Sequence, residues 1–309
     1  MTLCSQPDLS VDDLAKVREI LRRYWGYETL RPLQAEAIAC ALARRDALTV
    51  LPTGGGKSLC YQIPPMLEST LDVVVSPLIA LMKDQVDGLR ESGYPAVALH
   101  SGMNARERSE VHSALRSREM RLLFVSPERL VLDDFLAMLK DLDVRRFAID
   151  EAHCISQWGH DFRPEYRRLS LLRDRFPEAS LHAFTATATP RVRADILEQL
   201  RLKDASVLVG CFDRPNLIYR ILPKQDMRKQ TEEAIARHAG EAAIVYCLSR
   251  KDTESLAAWL KARGLRAAHY HAGMTSEDRR RTQEAFADES LDIVVATVAF
   301  GMGIDRSDV

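Results

Sequence analysis

A glycine-rich segment early in the chain has the residues needed to bind nucleotide phosphates. It follows the apolar run 47–51, precedes a helical pattern, and reads Pro52, Thr53, Gly54, Gly55, Gly56, Lys57 and Ser58. Glycines let backbone N–H groups curl around phosphate oxygens, and a helix start adds the positive end of its dipole. The lysine supplies a charge for the β- and γ-phosphates, and the serine a hydroxyl ligand for Mg²⁺. The segment therefore predicts a P-loop for ATP and Mg²⁺ and not merely a glycine-rich turn.

Two carboxylates follow a second apolar run, residues 147–149. Asp150 and Glu151 open the string Asp-Glu-Ala-His, which ends at His153. Because ligands of a parallel sheet bind at the carboxyl ends of its strands, we expect these carboxylates to face the P-loop. Asp150 is then suited to hold Mg²⁺ together with Ser58, and Glu151 to deprotonate the attacking water, while His153 relays the state of the site elsewhere. The predicted catalytic residues are Lys57, Asp150, Glu151 and His153.

A polar and aromatic segment upstream offers contacts for the nucleotide base. The Gln34 amide can pair with an adenine edge, as glutamine does in nucleic-acid recognition, and Tyr27 and Arg31 can stack on the faces of the base. Taken out of context, an amphipathic helix start explains the same residues better. We therefore treat all three as candidate nucleotide contacts that depend on the P-loop prediction.

Short β-rich runs alternate with helical patterns along the chain. The expected strands are 47–51, 73–76, 96–100, 122–126, 146–150 and 181–185, followed after about Leu208 by 243–247, 267–270 and 292–296. Helical stretches such as 79–92 and 105–116 separate them. Apolar strands separated by helices predict α/β lobes with parallel sheets. The polar stretch 213–216 suggests a boundary, and we predict two lobes, 1–210 and 211–309.

The two predicted lobes share a faint internal repeat. Residues 93–103 parallel residues 264–274, from Gly93 to Gly264, at an offset of 171 residues, and the same offset places Ser126 on Thr297. Two related lobes explain these coincidences better than chance. The first lobe continues through two more strands after Ser126, whereas twelve residues follow Thr297. We therefore expect the second sheet to be incomplete.

Composition restricts the function without defining it. The net charge of −1 excludes a globally basic surface, so any DNA contact must come from local arginine clusters. No stretch approaches the ~20 apolar residues needed to span a bilayer, and residues 1–13 lack the apolar core of a signal peptide. We expect a cytoplasmic protein without a membrane partner. The six cysteines lack zinc-site spacing and are expected to be free, buried thiols.

In their order along the whole chain, these motifs resemble RecQ-type DNA helicases of helicase superfamily 2. The matching segments are the Gln34 segment, 53–58, 75–85, 126–130, 150–153, 184–189 and 296–305. Leu51, where the general P-loop pattern has glycine, also fits a helicase loop. The resemblance implies two RecA-like lobes of the P-loop NTPase class and further nucleotide contacts at Gly303 and Asp305. It further implies single-stranded and forked DNA as partners, with ATP hydrolysis coupled to 3′-to-5′ translocation on the single strand and to unwinding of the duplex. It also implies roles in recombination and repair, on the nucleoid if the cell is bacterial.

Residues 154–166 resemble the aromatic-rich loop that senses single-stranded DNA in this family. Trp158 and Phe162 lie in a polar segment directly after the carboxylates, which favours base stacking over core packing. Arg163 is suited to pair with a phosphate. Hydroxyls and charges at strand ends of both lobes suit contacts with the DNA backbone. These candidates are Ser76, Ser126, Ser249, Arg250 and Thr297.

The chain departs from the family at its C-terminal end. RecQ-type motors supply an arginine finger from a Gln-x-x-Gly-Arg-x-Gly-Arg segment, and this sequence ends at Val309 before such a segment and before the family's zinc module. Such a finger is worth about 10³–10⁵ in rate. We therefore expect ATP binding, weak DNA binding and severely reduced unwinding. A catalytically impaired nucleic-acid-binding ATPase module is the alternative; the aromatic loop argues against an RNA helicase.

Overall fold

The computed structural model describes residues 7–159, 161–213, 217–297, 300, 306 and 308–309. The chain divides into two compact units, residues 1–214 and 215–309, which we call the first and second lobes. Within the described residues, every helix is too short or too polar to cross a membrane. The predicted boundary stretch 213–216 lies mostly outside the described residues.

The first lobe is built on seven parallel strands. In chain order these are β1 Ala47–Val50, β2 Asp72–Val75, β3 Ala96–Leu99, β4 Leu122–Val125, β5 Arg146–Ile149, β6 Ser180–Thr185 and β7 Ser206–Val209. Their order across the sheet is β3-β4-β2-β5-β6-β1-β7. Every residue of β1 to β6 is buried, as expected for a parallel sheet covered on both faces.

Helices cover this sheet, and local signals fix several of their starts. They are α1 Val11–Trp25, α2 Gln34–Leu42, α3 Lys57–Glu68, α4 Ile79–Glu91, α5 Ala105–Arg116, α6 Pro127–Leu130, α7 Asp133–Asp141, α8 Pro164–Arg167, α9 Leu172–Arg175 and α10 Pro190–Gln199. Two short 3₁₀ turns span Ala152–Ile155 and Arg168–Leu171. Asn104 and Glu107 form a reciprocal capping box that begins α5. Thr189 caps α10 ahead of Pro190, whose missing N–H is tolerated in a first helical turn.

The second lobe contains a three-stranded parallel sheet among its described residues. Its elements are α11 Met227–Ala236, β8 Ala243–Tyr246, α12 Arg250–Ala262, β9 Ala267–Tyr270, α13 Ser276–Ala287 and β10 Ile293–Ala296. The strand order is β8-β10-β9. An apolar cluster that includes Phe286 and Tyr270 packs beside β10, and a second that includes Leu256 and Leu260 packs under α12.

The internal repeat extends to strand pairing. β8, β9 and β10 begin 171 residues after β2, β3 and β4, as Asp72 and Ala243 illustrate. The registers also correspond: Ala96 pairs with Leu122 in the first lobe, and Ala267 with Ile293 in the second. The two lobes therefore share one three-stranded parallel unit, and the predicted α/β fold with two parallel sheets is confirmed.

Two sequence expectations need correction. The strand β7 was not predicted; it lies beside β1 at the edge of the first sheet, where Val207 and Val209 remain exposed. The expectation that the cysteines are buried is wrong for Cys211, which is exposed. The predicted strands otherwise correspond to β1–β6 and β8–β10, with ends that differ by one residue.

Candidate functional site

The P-loop has the tight backbone that its glycines allow. It connects β1 to α3, and Gly54 and Gly56 have φ angles of +77° and +76°, a region that L side chains rarely adopt. A Cβ atom added at Gly55 would lie 2.8 Å from the carbonyl oxygen of Pro52. The three consecutive glycines thus form a cradle that side chains would strain or fill, which suits close approach of phosphate oxygens.

The two polar residues after the glycines lie at the start of α3. Lys57 and Ser58 are half-buried, and the Lys57 ammonium donates to the carbonyl oxygen of Leu51 at 3.3 Å. The lysine side chain therefore folds over the loop toward the end of β1. The structure brings together the predicted phosphate-binding residues in the order that a P-loop requires.

Gln34 and Arg31 bind the P-loop backbone, a role that the sequence did not reveal. The fully buried Gln34 amide accepts from the Arg31 backbone N–H at 2.6 Å and donates to the Gly56 carbonyl at 2.8 Å. The Arg31 guanidinium donates to the Gly54 carbonyl. Both side chains therefore stabilise the loop conformation. Tyr27 is half-exposed, and adenine recognition by these three residues stays a prediction.

The Asp150–Glu151 pair lies at the carboxyl end of β5. In the sheet, one strand, β6, separates β5 from the P-loop strand β1. Burial, followed by the charge of Glu151, raises the pKa of Asp150, and the positive charge of Lys57 opposes that rise. Glu151 has a φ of +47°, and such a backbone costs a non-glycine residue about 1–3 kcal/mol. This strain occurs at the predicted general base, and the Glu151 N–H donates to the Asp150 carboxylate at 3.0 Å.

His153 links the carboxylates to the segment that follows β6. Its Nδ1 lies 3.2 Å from Oε2 of Glu151 and 3.0 Å from Oγ1 of Thr185. Thr185 ends β6, and its carbonyl accepts from the backbone N–H of Leu51 before the P-loop. The buried imidazole therefore connects two segments that the sequence separates by about thirty residues. This geometry suits the predicted relay role, which stays a prediction.

The aromatic loop packs directly on the catalytic segment. Gly159 approaches His153 so closely that an added Cβ would lie 2.5 Å from its carbonyl oxygen. The Tyr166 hydroxyl donates to the Asp150 carbonyl at 3.0 Å. Trp158, by contrast, is 57% exposed, and the Arg191 guanidinium stacks on its ring 3.3 Å from the centroid. The loop therefore holds an exposed indole, while Gly159 and Tyr166 contact the segment of the predicted catalytic residues.

The other two predicted DNA residues of this loop have partners within the protein. Phe162 is half-buried, and the guanidinium of Arg167 lies 5.1 Å from its ring centroid. Arg163 donates to the Asp161 carboxylate at 3.0 and 3.1 Å and to the Pro77 carbonyl at 2.7 Å. Arg163 thus ties the loop to the segment after β2. A DNA phosphate would have to compete with these bonds for the Arg163 guanidinium, a competition that the sequence did not reveal. The phosphate contact stays a prediction.

Comparisons with known proteins assign the family. Residues 31–196 match the DEAD/DEAH box helicase family, and residues 226–309 match the helicase conserved C-terminal domain. The chain belongs to the DEAD/DEAH box helicase family. The ATP-dependent DNA helicase RecQ of Haemophilus influenzae is 45% identical over 94% of this chain and 47% of the relative. The RecQ of Bacillus subtilis is 41% identical over 96% of this chain and 50% of the relative.

The resemblance to RecQ-type helicases is therefore confirmed, and this DEAD/DEAH box helicase chain spans about half the length of the curated relatives it matches. A solved structure of the Mycobacterium smegmatis helicase Lhr bound to ssDNA and AMP-PNP has a TM-score of 0.68. The two sequences are 20% identical, and the match covers 96% of this chain and 43% of the Lhr chain. This likeness supports the assigned fold.

The strand-end residues predicted to contact the DNA backbone lie on several elements of this DEAD/DEAH box helicase. Ser76 and Ser126 follow the neighbouring strands β2 and β4, and both are buried. The Ser76 hydroxyl has no hydrogen-bond partner within the part of the chain that the structure describes. In the second lobe, Ser249 caps α12 by accepting from the Asp252 N–H at 3.0 Å.

The remaining second-lobe candidates are less completely defined. Arg250 is exposed at the first position of α12, and Thr297 directly follows β10. The backbone N–H of Thr297 donates to the Tyr270 carbonyl at 3.1 Å. Gly303 and Asp305 lie outside the described residues. The DNA contacts of the strand-end residues and the nucleotide contacts of Gly303 and Asp305 stay predictions.

Proposed function

We propose that this chain is the ATP-hydrolysing motor of a DNA helicase that moves 3′ to 5′ on single-stranded DNA and unwinds forked duplexes in recombination and repair. One observation carries the proposal: the P-loop, the carboxylate pair and the loop with the exposed indole lie in one lobe, on segments that hydrogen bonds connect. The Tyr166–Asp150 bond joins the aromatic loop to the carboxylate segment, and the His153–Thr185 contact joins that segment to β6, whose last residue accepts from the Leu51 N–H before the P-loop.

The first lobe has the groups that phosphoryl transfer to water requires. The glycine cradle and Lys57 are suited to bind the phosphates, and Ser58 and Asp150 to hold Mg²⁺. A bound Mg²⁺ neutralises charge that develops on the β- and γ-phosphate oxygens. Glu151 is suited to orient and deprotonate the attacking water, since it follows β5, whose carboxyl end lies at the same end of the sheet as the P-loop with β6 between them.

Coupling to DNA follows from the position of the aromatic loop. A base stacked on Trp158 would stabilise one loop conformation, and stacking needs no particular base sequence. Because Gly159 touches the His153 backbone and Tyr166 bonds to Asp150, a change of the loop reaches the catalytic carboxylates directly. DNA is thereby expected to accelerate hydrolysis.

The remaining assignments belong to the same proposal. Two RecA-like lobes, 1–210 and 211–309, would each contact the DNA backbone through their strand-end residues. Gly303 and Asp305 would add nucleotide contacts. The expected location is the cytoplasm, on the nucleoid in a bacterium.

ATP turnover by the purified chain tests this function. The measurement compares no nucleic acid, oligo(dT) and oligo(rU), with Lys57→Ala and Glu151→Gln as variants. We expect oligo(dT) to stimulate turnover, Lys57→Ala to lose ATP binding, and Glu151→Gln to bind ATP without hydrolysing it. Equal stimulation by oligo(rU) would contradict the preference for DNA. Binding of both ATP and oligo(dT) without turnover would support the alternative, a catalytically impaired nucleic-acid-binding ATPase module.

A further inference from the structure

A basic groove lies at the edge of the first lobe, apart from the nucleotide site. It has a volume of about 660 Å³ and is lined at the carboxyl ends of β3 and β4 by residues of α5 and α6. In the strand order, β3 and the P-loop strand β1 are five spacings apart, or about 24 Å. The groove and the nucleotide site therefore lie at the same carboxyl-terminal end of the sheet but at separate places along it.

Three arginines line this groove: Arg108 and Arg116 on α5, and Arg129 on α6. Among the described residues, Arg108 and Arg116 form no ion pair, and Arg129 approaches the Asp134 carboxylate only at 3.7 Å. The pKa of His112, also in the groove, is lowered first by burial and then by the charges of these arginines. Glu128 also lines the groove, so its three arginines outnumber its one carboxylate and the lining has an excess of positive charge.

Two other arginines of the first lobe form ion pairs at the solvated surface. Arg106, on the same helix, pairs with Glu110 at 2.9 Å and is 89% exposed. Arg145, before β5, pairs with Asp143 at 2.6 Å at the opposite ends of the strands. Arg106 and Arg145 therefore differ from Arg108 and Arg116, for which the described residues supply no ion pair, and they provide matched paired sites on a chain whose net charge is −1.

The groove is continuous with the predicted DNA contacts. Ser126, which follows β4, lines it, and Ser76 follows the adjacent strand β2. The Ser76 backbone N–H donates to the Val125 carbonyl at 3.1 Å, so the two serines lie side by side. Single-stranded DNA bound across Ser76 and Ser126 would reach the three arginines at the β3 edge of the sheet.

We propose that this groove binds backbone phosphates of single-stranded DNA beyond Ser126, through Arg108, Arg116 and Arg129. The proposal rests on the proposed helicase function and extends its DNA contacts by at least two phosphates. Arginine is suited to this role because its planar fork pairs with phosphate oxygens.

Salt dependence of oligo(dT) binding tests the proposal. Each phosphate contact to a single strand contributes about 0.7 to the slope of log K against log salt concentration. Arg108→Ala/Arg116→Ala should therefore lower the slope by about 1.4, and Arg116→Ala alone by about 0.7. The single variant removes an exposed side chain, whereas Arg108 also donates to the Met103 carbonyl at 2.6 Å and contributes to loop structure.

Arg106→Ala/Arg145→Ala is the matched control, since it removes the same charge from paired surface sites. It should keep the slope of the original chain, and all variants should bind a fluorescent ATP analogue equally. The loss should appear only with oligonucleotides long enough to reach the groove. An unchanged slope for both groove variants would overturn the groove proposal alone. If the original chain binds no oligo(dT) at any length, the proposed helicase function itself is wrong.

Discussion

Removal of the indole ring of Trp158 is expected to separate DNA binding from ATP binding. Base stacking contributes about 1–3 kcal/mol per base, so Trp158→Ala should raise the oligo(dT) concentration for half-maximal stimulation by about 5- to 150-fold. The side chain is 57% exposed, and its contact with Arg191 is worth about 0.5–1 kcal/mol at such a site. The variant should therefore stay folded.

The assay is ATP turnover across a range of oligo(dT) concentrations, with a fluorescent ATP analogue measured in parallel. Trp158→Phe keeps an aromatic ring and should retain most of the stimulation. ATP-analogue affinity should be the same in all three proteins, because the exposed Trp158 ring stacks on Arg191 and belongs to the aromatic loop, not to the P-loop. Full stimulation of Trp158→Ala at the oligo(dT) concentration that suffices for the original chain would refute the role of this ring.

Three further changes have defined expectations. Gly56→Ala should raise the Kd for the ATP analogue at least about tenfold, because the new Cβ would overlap the Gln34 amide and the residue has a φ of +76°. Gly26→Ala is the control: its φ is +69°, its Cβ would meet open space, and the Kd should stay unchanged. Arg191→Ala should weaken oligo(dT) binding about 2- to 5-fold in a titration, and an additional loss in a variant that already lacks the indole would contradict a role through that ring. Burial lowers the pKa of His182 from 6.5 to about 3, so only the unfolded chain takes up this proton as the pH falls through that window. The free energy of unfolding should then decrease by about 1.4 kcal/mol per pH unit below pH 6.5, and urea unfolding of His182→Gln should show a slope smaller by that amount; equal slopes would contradict the burial argument.

Much of the fold was accessible from local patterns. Apolar runs of four or five residues between helical stretches identified nine of the ten strands in the described part of the chain, because the interior strands of a parallel sheet are buried on both faces. The edge strand β7 escaped prediction because Val207 and Val209 face solvent. The repeat at an offset of 171 residues even indicated the register shared by the two lobes.

The sequence by itself determined which residues are candidates for the chemistry of the site. Lys57, Ser58, Asp150 and Glu151 stand out because the roles predicted for them depend on residue type and on position at the end of a strand, both of which are local properties. The same holds for Trp158, whose polar neighbours predicted the exposure that the structure has.

Only the tertiary structure decided how these residues are connected. The Gln34–Gly56, His153–Thr185 and Arg163–Pro77 contacts join residues 22, 32 and 86 positions apart. The stack of Arg191 on Trp158 and the grouping of three arginines in the groove likewise depend on which helices are neighbours across the sheet. Hydrogen bonds and charge compensation are set by distances in space, and a spacing along the chain cannot supply those distances until the strands are ordered.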